Sequence, residues 1–196
     1  GEINSRLGFV FKGGLIPYLR NIPLASRLNK MFQVPVTVLN DGDAAGLAEA
    51  RIGNLQDCYC GATFVLGTGV GLALTSNGSL ISTLHLKDYL RWPNPEEPPT
   101  TPEQKQFQRE ILKHGISSLV QNLGSAVNFV AQASQLLQLP EEDGIQVFEA
   151  LHAGYHGELQ DLFISYCREI AILIYNLQSL VRLEKVTIGG GISSQD

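Results

Sequence analysis

From Pro23 to Gln33, apolar residues recur at Leu24, Leu28, Met31 and Phe32 behind a proline suited to a first helical turn, and this spacing predicts an amphipathic helix. Val34 to Leu39 follows as a β-branched run with Pro35 near its entry, which reads as a short buried strand ended by Asn40-Asp41-Gly42. Asp43 to Arg51 is alanine-rich with Asp43 set as N-cap, so a second helix is predicted there. Ala62 to Leu66 and Val70 to Thr75 are apolar β-type runs joined by Gly67-Thr68-Gly69. Ser76-Asn77-Gly78 supplies the next turn, and together they predict a hairpin. Residues 92–102 hold five of the nine prolines, and proline lacks the amide that helix and sheet interiors need, so a loop or lid is expected.

From Glu103 the pattern turns helical, with Phe107, Ile111, Ile116, Leu119, Val120, Leu123 and Val127 near a three-to-four spacing through Leu139, and Gly115 as a point of division. Glu141 to Leu151 reads as a shorter helix. Leu159 to Leu183 reads as a long one with Phe163, Ile170, Leu173, Ile174 and Leu177 inward. Lys185 to Ile188 is then a strand running into Gly189-Gly190-Gly191. This alternation of helix and strand predicts an α/β fold.

Composition narrows the class. The 196 residues are 44% hydrophobic and 17% charged, with net charge −5, which excludes a disordered polymer. No apolar run approaches the roughly 20 residues of a membrane span, so no membrane partner is expected. The basic residues are scattered, so nucleic acid is not the default partner. Cys58, Cys60 and Cys167 are odd in number and no cationic-then-apolar signal opens the chain, which points to the cytoplasm and to free thiols. One residue between Cys58 and Cys60 is too few for a zinc knuckle. His152 and His156 have metal-ligand spacing, but Gly154 and Gly157 favour a loop or helix-end pair, so no metal site is expected. Both ends are abrupt, and the chain reads as part of a longer protein.

Three constellations could carry chemistry. Asn40-Asp41 stands where a predicted strand ends, the position at which open α/β sheets put ligand-binding groups. A carboxylate there can take a proton from an attacking hydroxyl while the Asn40 amide orients a polyol; the same two residues could equally form a turn and cap the next helix. In Gly67-Thr68-Gly69-Val70-Gly71 the missing Cβ atoms let backbone amides approach an anion, and Thr68 adds a hydroxyl; a plain hairpin would use the same glycines. Gly189-Gly190-Gly191 could lay bare backbone against a flat ligand, or simply make a tight strand-to-helix turn.

Taken in order, VPVTVLNDGDAAGLAEA, ATFVLGTGVGLALTSNG and VTIGGGIS resemble the ROK family of sugar kinases and repressors, within the actin-like ATPase superfamily. The stretch FEALHAGYHGELQDLFISYCREIAILIYNLQSL looks like the helical region before that family's glycine triplet. The resemblance implies actin-like (ribonuclease H-like) lobes, a mixed sheet flanked by helices. Residues 1–52 would close a first lobe and 53–196 form most of a second, with ligand between them. It implies that Asn40 and Asp41 bind the sugar, with Asp41 the general base. Gly67, Thr68 and Gly69 would hold ATP phosphates, and Gly189, Gly190 and Gly191 the adenosine. Mg²⁺ would arrive with ATP, the substrate would be a hexose such as glucose or fructose, and a homodimer is expected.

The chain departs from the family pattern in three places. The N-terminal Asp-x-Gly-Gly-Thr phosphate loop is absent. NGSLISTLHLKDYLRWP stands where a Glu-x-Gly-His segment contributes sugar contacts in the family, so that role is not assigned to His85. The cysteine-rich zinc motif has no counterpart. A different class of function therefore stands beside the kinase: a sugar-sensing domain of a ROK-type repressor, which would need a DNA-binding domain ahead of Gly1, or an inactive kinase fragment.

Overall fold

A stripe of small residues decides how the central layers meet. Gly42, Gly46 and Ala50 are spaced four apart on one helix and all are buried. On the facing strand Gly71, Ala73 and Thr75 alternate with larger residues, so helix and sheet backbones approach closely. The computed structural model describes residues 1–14, 16–81, 102, 124–154 and 157–194.

The first strands, β1 (Glu2–Asn4) and β2 (Phe9–Lys12), pair antiparallel. Gly8 turns the chain between them at φ +60° and its carbonyl accepts the Ala25 amide at 3.0 Å. The predicted first helix is α1 (Leu24–Phe32), and none of its residues is buried. Met31 and Phe32 stand exposed, whereas Leu24 and Leu28 on the same helix are half-buried.

Val34 to Leu39 is a correction. The segment joins no ladder among the described residues, because a strand needs a neighbour to take its amides and carbonyls, and β1 and β2 pair with each other. The next helix, α2 (Asp41–Ile52), begins two residues before the Asp43 expected as its cap. Asn40 caps it instead: its backbone is extended (φ −67°, ψ 150°) and its side-chain oxygen accepts the Gly42 amide at 3.0 Å.

The predicted hairpin is β3 (Cys60–Leu66) and β4 (Val70–Ser76), paired in continuous register from Cys60–Ser76 to Leu66–Val70. Asn77 (φ 48°) and Gly78 (φ 71°) turn β4 into β5 (Ser79–Ile81), as a two-residue turn with two positive φ angles requires. The last strand, β6 (Lys185–Gly189), joins the other edge of β3 in parallel, giving the order β5-β4-β3-β6. The sheet is therefore mixed. Its period-two alternation sends Ala62, Phe64, Leu66, Val70 and Leu74 to the main core, while Thr63 and Ala73 face α2. On the α2 face the hydroxyls of Thr63 and Thr187 lie 2.9 Å apart, joining β3 to β6 by side chains as well as backbone.

Three helices cover the opposite face: α3 (Ala126–Leu136), α4 (Gly144–His152) and α5 (Glu158–Leu180). They meet at an aromatic cluster in which Phe129 stacks on Tyr166 (centroids 4.9 Å apart) and contacts Phe148 and Phe163. Of the residues expected inward on α5, Ile170, Leu173 and Leu177 are buried and Phe163 and Ile174 pack against the core. α5 ends at Leu180, before the expected Leu183. Val181 turns extended, and Leu183, its amide held by the Gln178 side chain at 3.2 Å, is buried as a separate residue. α4 starts at Gly144 because Asp143 caps it, not at Glu141.

His85, the proline-rich stretch apart from Pro102, the helical pattern from Phe107 through Leu123 with Gly115, and His156 lie outside the described residues. His152 is the last residue of α4, a helix end as expected. Cys58 and Cys60 are buried free thiols and Cys167 is an exposed one. Burial pushes the Cys58 and Cys60 thiols up, which keeps them protonated and unreactive near neutral pH.

Candidate active site

The three glycine-bearing motifs converge on the end of β3. Gly42 lies against Gly71: a Cβ on Gly42 would stand 3.3 Å from the Gly71 Cα, and a Cβ on Gly71 would stand 3.4 Å from the Gly42 Cα. This contact sets Asn40 and Asp41, at the start of α2, beside the 67–71 turn. From the other side, Gly189 pairs with Val65, and Gly190 (φ +114°) packs so closely on Leu66 that any Cβ would collide with the Leu66 carbonyl oxygen. Residues far apart in sequence thus share one rim of the sheet.

At the first motif, the Asn40 side chain does two things. Its oxygen caps α2 and its amide nitrogen donates to the Gly1 carbonyl at 3.4 Å. The cap suggested by sequence is therefore real, and it orients the amide. The Asp41 carboxylate accepts the Gly42 amide at 3.0 Å and is otherwise solvent-facing. Asp43, one turn in, is held above the ordinary carboxylate range by burial and then by the charge of Asp41. Two carboxylates therefore sit at the positive end of α2, a position that stabilises negative charge.

At the second motif, the Gly67 N–H donates to the Gly69 carbonyl at 3.0 Å and the Gly67 carbonyl accepts the Ala126 amide at 2.8 Å. Gly67 is thereby committed to the turn and to anchoring α3. The donors the turn can offer an anion are those of Thr68, which is exposed, and Gly69. At the third motif, the Gly190 carbonyl accepts both the amide and the hydroxyl of Ser193, at 3.1 and 2.8 Å. A short 3-10 turn (Gly191–Ser194) follows.

A cavity of about 740 Å³ opens beside this rim. Gly67 and Gly191 line it, Val127, Val130, Phe148 and Ile192 give it an apolar lining, and residues 141–146 complete it. A Cβ built on Gly189 or Gly191 would meet nothing within 4 Å, so these glycines leave open space over bare backbone. Its size, apolar lining and exposed glycine backbone are features of a small-molecule site. The 141–146 part of the lining was missed in the sequence, where Glu141 to Leu151 read only as a helix. Among the described residues no group of three His, Cys, Asp or Glu is arranged to hold a metal ion. Also among the described residues, no helix is long and apolar enough to cross a membrane.

The mixed sheet flanked by helices is the fold expected of the actin-like ATPase class. Residues 1–85 match the ROK family model. A β-glucoside kinase of Listeria innocua serovar 6a is 35% identical over 81 residues, covering 41% of this chain and 28% of that kinase. The structure of the Lmo2764 protein of Listeria monocytogenes, a provisional N-acetylmannosamine kinase, aligns with 100% of this chain and 64% of its own, at TM-score 0.74 and 26% identity. A ROK family glucokinase from Streptomyces griseus in complex with glucose and AMPPNP aligns with 100% of this chain and 64% of its own, at TM-score 0.69 and 21% identity. Over residues 1–85 the chain is thus similar to the ROK family, and its fold is similar to that of solved ROK-family proteins. It spans 28% of the curated kinase and under two thirds of these solved structures.

Proposed function

We propose that this chain supplies most of the catalytic apparatus of an ATP-dependent hexose kinase acting on a sugar such as glucose or fructose. The observation that carries the reading is the Gly42–Gly71 contact, which brings the Asn40-Asp41 pair next to the 67–69 turn, while Gly190 against Leu66 brings the glycine triplet to the same rim. A sugar hydroxyl and a terminal phosphate held by these groups would be neighbours.

In this reading the Asn40 amide, fixed by its cap, orients the sugar hydroxyl, and the Asp41 carboxylate accepts the hydroxyl proton as its oxygen bonds to the γ-phosphorus of ATP and ADP leaves. Thr68 and Gly69 donate to the phosphate oxygens, where charge builds in the transition state. The adenosine lies over Gly189, Gly190 and Gly191 in the neighbouring cavity. The division into lobes 1–52 and 53–196, closing on ligand between them, belongs to the same proposal. So do the homodimer and the cytoplasmic location.

The test is sugar-dependent ADP release by the complete protein across a hexose panel. Asp41→Asn is expected to lower kcat by roughly 100- to 10,000-fold, the usual worth of a general base, with ATP-induced thermal stabilisation retained. No ADP release from any hexose, or an Asp41→Asn rate equal to wild type, overturns the proposal. Stabilisation by sugar without ADP formation would instead favour a sugar-sensing domain.

A further inference from the structure

We infer that Gln146 reads the base of the nucleotide, its carboxamide oxygen accepting the exocyclic amine of adenine and rejecting a 6-oxopurine. The inference rests on the nucleotide reading of the cavity given above.

Gln146 lies in the first turn of α4 and lines the same cavity as Gly67 and Gly191. Its side chain is not free to choose its orientation. Asp143 accepts the backbone amides of Ile145 and Gln146 through Oδ1, at 2.8 and 3.2 Å, and accepts the Gln146 side-chain nitrogen through Oδ2 at 2.8 Å. Asp143 is itself tied to α3, its amide donating to the buried Ser134 hydroxyl at 3.1 Å. An ionised carboxylate can only accept, so the glutamine must turn its NH₂ toward Asp143 and its oxygen away. The hydrogen bonds from Gln146 also hold the Asp143 carboxyl below its ordinary range, which keeps this arrangement charged at neutral pH.

The chemistry of the whole wall points the same way. Glu141, Glu142, Asp143 and the Gln146 oxygen are acceptors, and among the described residues no Lys, Arg or His lines the cavity. Phosphate is repelled from this end and attracted to the glycine turn, so a nucleotide enters with its base and ribose toward α4. Adenine offers an amine donor at its 6-position, whereas hypoxanthine offers a carbonyl oxygen that would face the fixed glutamine oxygen. A net hydrogen bond gained or lost at an exposed site corresponds to roughly tenfold in affinity.

The test is calorimetric binding of ATP and ITP to the complete protein with Mg²⁺. Wild type is expected to bind ATP roughly tenfold tighter than ITP. Gln146→Leu should bring ATP down to the ITP level and leave ITP unchanged. Asp143→Asn keeps a cap-forming residue but can donate as well as accept, so it lets the glutamine turn over and should raise ITP affinity. Equal binding of the two nucleotides by wild type, or an unchanged ratio in Gln146→Leu, overturns this inference while leaving the nucleotide cavity intact. If neither nucleotide binds wild type, the nucleotide reading fails and takes this one with it.

Discussion

Gly46 of α2 and Ala73 of β4 face each other so closely that a Cβ on Gly46 would overlap the Ala73 methyl group. On an exposed helix, Gly→Ala gains about 1 kcal/mol from propensity. Here the added methyl has nowhere to go, and Gly46→Ala is expected to cost about 1–3 kcal/mol by overpacking. Urea unfolding measures it. Adding Ala73→Gly should recover part of the loss, and a Gly46→Ala protein more stable than wild type would show that α2 is not seated as described.

Gly190 combines a left-handed φ of +114° with the Leu66 carbonyl at its back. Gly190→Ala is expected to destabilise by about 1–3 kcal/mol, the usual worth of a side chain forced into such backbone. Because the adjoining Gly191 and Ile192 line the cavity, the proposed rise in melting temperature with ATP should fall as well. Thermal unfolding with and without ATP reads both effects, and an unchanged ATP shift would separate Gly190 from the nucleotide.

Tyr166 is buried under Phe129, its hydroxyl within 3.5 Å of the Gly124 carbonyl, and burial, with a smaller push from Cys167, raises its pKa to about 12. The unfolded phenol ionises near 10. Its contribution is therefore complete below pH 10 and is lost as pH rises from about 10 to 12, a decline of about 2–3 kcal/mol. Tyr166→Phe should flatten that part of the stability-against-pH curve, as followed by denaturant midpoints from pH 8 to 12. A curve identical to wild type would mean the hydroxyl is hydrated.

The sequence showed most clearly what is decided locally. The β3–β4 hairpin follows from two apolar runs and their glycine punctuation, and the inward face of α5 follows from its period. What it hid is decided by distant partners. Val34 to Leu39 has the composition of a strand, yet a ladder needs a neighbour that composition cannot supply. Asn40 and Asp43 are both good caps, and only the packing of Gly42 on Gly71 selects the earlier one. The candidate site was visible as three motifs. Their convergence was implied only by the family resemblance, although the Gly42, Gly46, Ala50 spacing on α2 was a signal of close backbone approach. Glu141 to Gln146 gave no sign of lining a cavity, because that depends on how α4 is hung from Ser134.

The parallel pairing of β3 with β6 has a consequence for how the molecule is made. Thr63 and Thr187, which touch across that pair, are separated by 124 positions. At roughly 5–20 residues per second, a ribosome needs on the order of 6–25 s to pass from one to the other. During that interval the inner strand of the sheet exposes a row of unpaired amides and carbonyls, the kind of edge on which chains aggregate. Translation speed and chaperone supply should therefore govern the soluble yield of this protein more strongly than its final stability does.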